Sequence, residues 1–209
     1  MAKIITLDHL ISIKPKPWHR GKELFEFCER HVFVNIPYDN KYRPLELALC
    51  ATLISFGFQP IMAKSNRIET VRLNKIGKLM KACKYGVSDL SRITRHNMSF
   101  EHGMMIALPN IKACCALVKD EFKAMQYLSD MNGFDTTPHY GDKRTLITNL
   151  TNWILDNTME DIPPERRDIN ASMIIEILPL IPKYIKRIKD YSKLPGIIDG
   201  LFVSTVLNK

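Results

Sequence analysis

The chain has 209 residues, 45% apolar and 25% charged, a balance that supports one sizeable globular domain and excludes disordered and fibrous classes. Its formal net charge of +8 favours anionic partners: phosphorylated small molecules, nucleic acid or an acidic membrane surface. The five cysteines lack a C-x-x-C and read as reduced buried thiols of a cytoplasmic protein; with six scattered histidines they give no zinc spacing, so neither metal nor cofactor is expected.

Residues 1–22 include Lys14-Pro15-Lys16-Pro17, which suits an extended arm, and Lys22 to Arg30 reads as a short helix. His31-Val32-Phe33-Val34-Asn35-Ile36 is a β-branched and aromatic run ended by Pro37, the pattern of a buried strand. Lys41 to Phe56, followed by Gly57, reads as a helix with a glycine stop. Phe58 to Met62 is a second strand, and Thr70 to Cys83 an amphipathic helix with Val71, Leu73, Ile76, Leu79 and Met80 on its apolar side. Tyr85 to Leu90 is a third strand ending near Asp89, Met98 to Leu108 a helix, and Lys112 to Val118 a very apolar fourth strand. Asp120 to Met131 reads as helix, Thr136 to Tyr140 as a weak fifth strand, and Lys143 to Asn157 as a last crossing helix. Beyond Pro163-Pro164, Arg166 to Tyr191 reads as a helical hairpin or one helix broken near Pro179 and Pro182.

Strands alternating with helices at this spacing specify parallel βαβ units, and the simplest solution is a flavodoxin-like, doubly wound, five-stranded parallel sheet with a C-terminal helical extension. The divisions are an N-terminal arm and short helix over 1–30, the α/β domain over 31–160, and the extension over 161–209, which could cap the sheet or pair two copies into a homodimer. Met173 to Ile181 is too short, and too interrupted by Glu176 and Pro179, to span a bilayer, so no membrane association is expected. Lys183, Lys186, Arg187, Lys189 and Lys193 read as a solvated helical face. Only Tyr184 and Tyr191 lie among them, too few rings for a nucleic-acid groove.

In a sheet of order 2-1-3-4-5, ligands bind beyond the carboxyl ends of the first and third strands. The first strand delivers Asn35, Pro37, Tyr38 and Asp39 there, and the third delivers Asp89, Ser91 and Arg92. The next helix begins near Arg95-His96-Asn97-Met98-Ser99-Phe100-Glu101-His102-Gly103, with Asn97 as its expected N-cap. That cap sets Glu101 about one turn into the helix, facing the crevice if Phe100 faces the sheet. Gly103 would either admit a flat ring near the backbone or permit close helix–sheet packing. On spacing alone, Glu101 could equally be an acid that only complements the helix dipole. The loop Lys64 to Glu69 could close over the crevice or be a plain connection. Cys114-Cys115 read as core packing and His102 as packing or surface.

Three motifs carry a family resemblance: Val32-Phe33-Val34-Asn35-Ile36-Pro37-Tyr38-Asp39, Tyr85-Gly86-Val87-Ser88-Asp89-Leu90-Ser91-Arg92 and Asn97-Met98-Ser99-Phe100-Glu101-His102-Gly103. From His31 to about Asn157 the chain resembles the nucleoside 2-deoxyribosyltransferase-like group, related in fold to TIR domains, and within it a bacterial branch. That resemblance implies N-glycosidic chemistry on a nucleoside, a nucleotide or an NAD-like dinucleotide. Carried over by position, Glu101 is the nucleophile or stabiliser at the anomeric carbon, and Asp89 holds the sugar or assists proton transfer. A carboxylate beside a sugar that gains positive charge stabilises the transition state. The crevice residues Asn35, Pro37, Tyr38, Asp39, Ser91, Arg92, Asn97, Phe100 and Gly103 would bind substrate. Arg95-His96-Asn97 stand where the family carries Asp-Ser-Gly, so a basic pair replaces one acid. Arg92, Arg95 and His96 then suit a phosphate-bearing ligand or a solvent-exposed loop. The second reading is a non-catalytic nucleotide sensor or effector that signals through its C-terminal helices, and a third is an assembly protein that keeps only the shape.

Overall fold

The computed structural model describes residues 26–63, 72–92, 96–120, 136–184 and 194–205. Strands β1 (Cys28–Asn35), β2 (Gln59–Ile61), β3 (Cys83–Asp89), β4 (Ala113–Val118) and β5 (Thr136–Pro138) form one sheet in the order β2-β1-β3-β4-β5. Every pairing is parallel, which makes the fold flavodoxin-like. Parallel strands need covered faces, and helices supply the cover: α1 (Arg43–Ser55), α2 (Arg72–Lys81), α3 (His96–Ala107) and α4 (Lys143–Thr158). Beyond them lie α5 (Ala171–Ile177), α6 (Ile181–Tyr184) and α7 (Leu194–Thr205).

The local reasons are legible. Gly57 ends α1 with a positive φ of 85°; its N–H donates to the Ile54 carbonyl and the Phe58 N–H to the Leu53 carbonyl, so the last turn closes on itself. A side chain at Gly57 would also press on Pro163 at 3.0 Å. Asp142 caps α4 by accepting from the Thr145 N–H at 2.8 Å, and Asn170 caps α5 by accepting from Met173.

Side chains of β3 alternate between two cores. Tyr85 and Val87 join Val32, Val34, Cys115 and Leu117 beneath α1, α4 and the C-terminal helices. Gly86 faces the other way, where an added Cβ would stand 2.6 Å from Met105 Sδ of α3. Phe33, Ile61, Ile76, Met80 and Met105 make up that second core under α2 and α3.

Two expectations change. Cys28 to Arg30, expected in a short helix, open β1 instead, because Cys28 pairs with Cys83 of β3 and the strand continues through an irregularity to Val32. The C-terminal segment does break at Leu178–Leu180, around Pro179 as expected, but its helix starts at Ala171 and not Arg166, Pro182 lies inside α6, and a further helix, α7, follows. Ile174, Ile177, Leu194, Ile198 and Leu201 are buried in the same core as β1 and β3. The extension is therefore packed into the α/β layer. Arg166 fastens it: its guanidinium donates to the Ile54 and Ser55 carbonyls at 3.1 and 2.9 Å and pairs with Asp199 of α7 at 2.7 Å. The helix expected over Asp120 to Met131 beyond Asp120 itself, the loop Lys64 to Glu69, Arg95, most of the arm over 1–30 and Lys186 to Lys193 lie outside the described residues. Among the described residues no helix is long and apolar enough to cross a membrane.

Candidate functional site

Register fixes the crest of the sheet. Asn35 aligns with Ser88, Asp89 with Leu117 and Val118 with Pro138, so the carboxyl ends of β1, β3, β4 and β5 lie along one edge. Asp89 is fully buried there, yet it is satisfied. Its Oδ2 accepts from the Tyr42 hydroxyl and lies 3.1 Å from His139 Nε2, while its Oδ1 accepts from the Ser91 N–H at 2.8 Å. Burial alone would raise the Asp89 pKa; the bonds from His139, Ser91 and Tyr42 outweigh it and hold the carboxyl below its ordinary value. Burial, reinforced by the Asp89 charge, pushes the Tyr42 phenol well above its usual value, so its proton stays in the bond.

His139 comes from the turn after β5. Its Nδ1 accepts from the Gly141 N–H at 3.0 Å, so Nε2 carries the ring proton and shares it between Asp89 and Ser91 Oγ, the latter at 3.0 Å. This arrangement rules out a Ser-His-Asp relay within these three residues. Such a relay needs the serine and the acid on opposite ring nitrogens, and here both sit on Nε2. The turn itself is sharply built: Tyr140 and Gly141 have φ of 51° and 76°, and the Asp142 N–H closes onto the His139 carbonyl at 2.8 Å. Tyr140 remains 60% exposed in a backbone conformation that costs a non-glycine residue energy.

Asn35 belongs to the other face. It is buried, and its Nδ2 donates to the Met98 carbonyl of α3 at 3.0 Å and lies 3.5 Å from Ser88 Oγ. Pro37 is buried beside it and Tyr38 is exposed. Asp39 is occupied by its own turn, accepting from the Lys41 and Tyr42 N–H groups at 3.0 Å, and by an ion pair with Arg92. The Arg92 bond is the main cause that holds the Asp39 carboxyl below its usual value. The residue expected to meet substrate and the one expected to meet phosphate thus hold each other.

Helix α3 turns out differently from expectation. It starts at His96, so Asn97 is already helical rather than the N-cap, and Glu101 lies about 7 Å along the axis from the first residue. Met98, His102 and Met105 form its buried side, at the spacing of one helical face. Phe100 is 58% exposed, so it does not face the sheet. Gly103 is exposed as well, and nothing lies within 4 Å of a Cβ placed there, so close packing does not explain it. Glu101 is partly buried at the margin of the packed side.

The expected pairing of Asp89 with Glu101 in one cleft is corrected by strand parity. Asp89 continues the Tyr85–Val87 series toward α1, whereas α3 packs on the opposite face through Met98 and Met105. Asp89's partners are Tyr42, Ser91 and His139, and Glu101 is not among them. Asn35, Ser88 and the α3 backbone meet on one side; Asp89, Tyr42, Ser91 and His139 meet on the other. Tyr42 and His139 were not anticipated from sequence. The available signal was that His139 directly follows a strand and precedes Gly141-Asp142, a turn-plus-cap pattern.

Burial pushes the Cys114 and Cys115 thiols up to about 12, which keeps them protonated and poor nucleophiles. Among the described residues no group of three or more His, Cys, Asp or Glu is arranged to hold a metal ion. The chain matches no family model, no curated protein and no solved structure.

Proposed function

We propose that the chain is a nucleotide-binding module whose ligand sits at the crest between β1 and β3 and is held without being cleaved. The observation that carries this reading is the bracing of Asp89: Tyr42 and His139 engage its Oδ2 and the Ser91 N–H its Oδ1, so both carboxylate oxygens are committed to holding the rim together. A braced rim at the switch point of a doubly wound sheet favours ligand binding in a preformed crevice. The net charge of +8 favours an anionic ligand. Helix α1 is a route by which occupancy would reach the C-terminal helices. Tyr42 at its start touches Asp89, and Arg166 joins its end to Asp199 of α7.

The second reading, N-glycosidic bond cleavage or transfer, rests on Glu101. It is a partly buried carboxylate near the start of α3, within the motif that resembles the deoxyribosyltransferase-like group. Glu101 would stabilise the sugar cation alone, with Asp89 as a positioning residue. One experiment separates the two. The protein is titrated calorimetrically with nucleoside monophosphates, triphosphates and NAD, and each mixture is assayed for free base by chromatography. Saturable binding without base release supports the module. Base release that disappears in Glu101→Gln supports the enzyme, and no binding to any of these compounds excludes both.

A further inference from the structure

A groove of about 430 Å³ opens on the α1/α4 side of the molecule, where the starts of those two helices meet the turn between α5 and α6. Its floor and walls are apolar: Leu47 of α1, Leu178 and Pro179 of the turn, and Pro182 of α6. Its charged members are Arg43 and Lys143, the first residues of α1 and α4. Both cations are exposed. Leu178, by contrast, is 8% exposed and belongs to the main core, so the floor is part of the packed framework.

The two cations are what favours an anion at this end. Both helices run with their amino ends toward the groove, but the α4 end is already capped by the Asp142 carboxylate and the first turn of α1 contains the buried Glu46. Asp142, the acid nearest Lys143 in sequence, turns its Oδ2 onto the Thr145 N–H and hydroxyl at 2.8 and 2.9 Å, and those bonds lead the causes that hold its carboxyl below the usual range.

We propose that this groove is a binding site for a small amphiphilic anion, with an apolar body on Leu47, Leu178 and the prolines and a single carboxylate or phosphate head between Arg43 and Lys143. The volume lies in the range of small-molecule pockets. An apolar floor alone would accept any hydrophobe, whereas two cations at its edge select for an anionic head by charge complementarity. The lining adjoins the crest through Asn40 and Arg43, on either side of the Lys41-Tyr42 pair, but includes none of Asn35, Tyr42, Asp89, Ser91 or His139, so its occupation does not depend on the nucleotide reading.

The test uses the full chain and isothermal titration with octyl phosphate and octanoate, which share a body and differ in head. Inorganic phosphate supplies the head alone and octyl glucoside an uncharged amphiphile. The expected result is 1:1 binding of one or both octyl anions, weakened at least tenfold in the double variant R43Q/K143Q and in Leu47→Gln, with neither control binding at the same concentrations. Circular dichroism melting confirms that the variants remain folded; Arg43 and Lys143 are exposed, and Leu47 is only partly buried at the edge of the core. Preference between phosphate and carboxylate identifies the head. Equal binding of octyl glucoside, binding unchanged in R43Q/K143Q, or no binding of either octyl anion overturns the proposal. So does a concentration-dependent dimer in light scattering that R43Q/K143Q abolishes, which would assign the groove to a second copy of the chain.

Discussion

Asp89 at the end of β3 and His139 just beyond β5 meet at 3.1 Å across the top of β4, the strand that separates them in the sheet. Neither residue reaches the other through strand pairing. The contact exists because the turn after β5 is folded back by two successive left-handed residues, and because the Gly141 N–H fixes which ring nitrogen carries the proton. Tyr42 adds a third element, so one carboxylate ties together the β1–α1 loop, β3 and the β5–α4 turn.

Asp89→Asn tests whether that tie is structural. An amide would direct an N–H₂ into a site that already holds donors from Tyr42, Ser91 and His139. We expect a loss of about 3 kcal/mol, the scale for breaking one member of a buried charged network. That corresponds to a melting temperature lower by roughly 6–12 °C. An unchanged or higher melting temperature would falsify the bracing role and return Asp89 to the list of ligand-binding acids.

Acid should weaken the protein in two stages. Burial lowers the His102 pKa from 6.5 to about 4, and among the described residues its Nδ1 has no hydrogen-bond partner. Between those two values the unfolded chain binds a proton that the folded chain refuses, so stability falls as pH drops from 6.5 toward 4, by about 3 kcal/mol in all. Asp89 acts later: its folded pKa is depressed, so its contribution is present above the unfolded value near 3.9 and disappears as pH falls through the lower folded value. Urea denaturation of His102→Leu at pH 7.5, 5.5 and 4.5 should show a flatter profile than the parent. Parallel profiles would remove His102 as the cause.

Gly86 and Met105 should be energetically coupled. A Cβ at position 86 would stand 2.6 Å from Met105 Sδ and 3.2 Å from Cys114 Sγ, inside a core where Met105 is fully buried. Gly86→Ala is expected to cost about 1–3 kcal/mol by overpacking and Met105→Ala about 2–4 kcal/mol by leaving a cavity. Together they should cost less than the sum, because the new methyl enters the vacated space. Strict additivity in denaturant titrations would show that the two residues do not share this space.

Arg166 should set how firmly the C-terminal helices are held. Its guanidinium satisfies two carbonyls at the end of α1 and pairs with Asp199 of α7. Arg166→Ala is expected to cost about 1–3 kcal/mol, and Arg166→Lys to recover only part of it, since an ammonium lacks the planar fork. Hydrogen exchange on the last turn of α1 and on α7 provides the local readout. Faster exchange confined to other elements would contradict the clamp.

Much of the candidate site was readable because parallel strands leave a plain signature: an apolar run, then polar and turn-forming residues at its carboxyl end. Asn35 and Asp89 were found that way. The side toward which each points was also legible in principle, since Asp89 shares the parity of Tyr85 and Val87, which carry large apolar side chains. Helix α3 was harder. Its residues from Met98 to Met105 include apolar groups on more than one side, so the pattern did not decide between Phe100 and His102 for the packed face.

The amino-acid order by itself determined the alternation of strands and helices for which 2-1-3-4-5 is the simplest parallel sheet, though not the start of β1 or helix α7, because periodicity, proline and glycine act over a few residues. Tertiary structure alone decided what those elements share. Tyr42 and His139 reach Asp89 from 47 and 50 positions away, and Arg166 reaches Ser55 from 111. Such meetings depend on strand order, side-chain direction and turn geometry acting together, and no local pattern encodes all three.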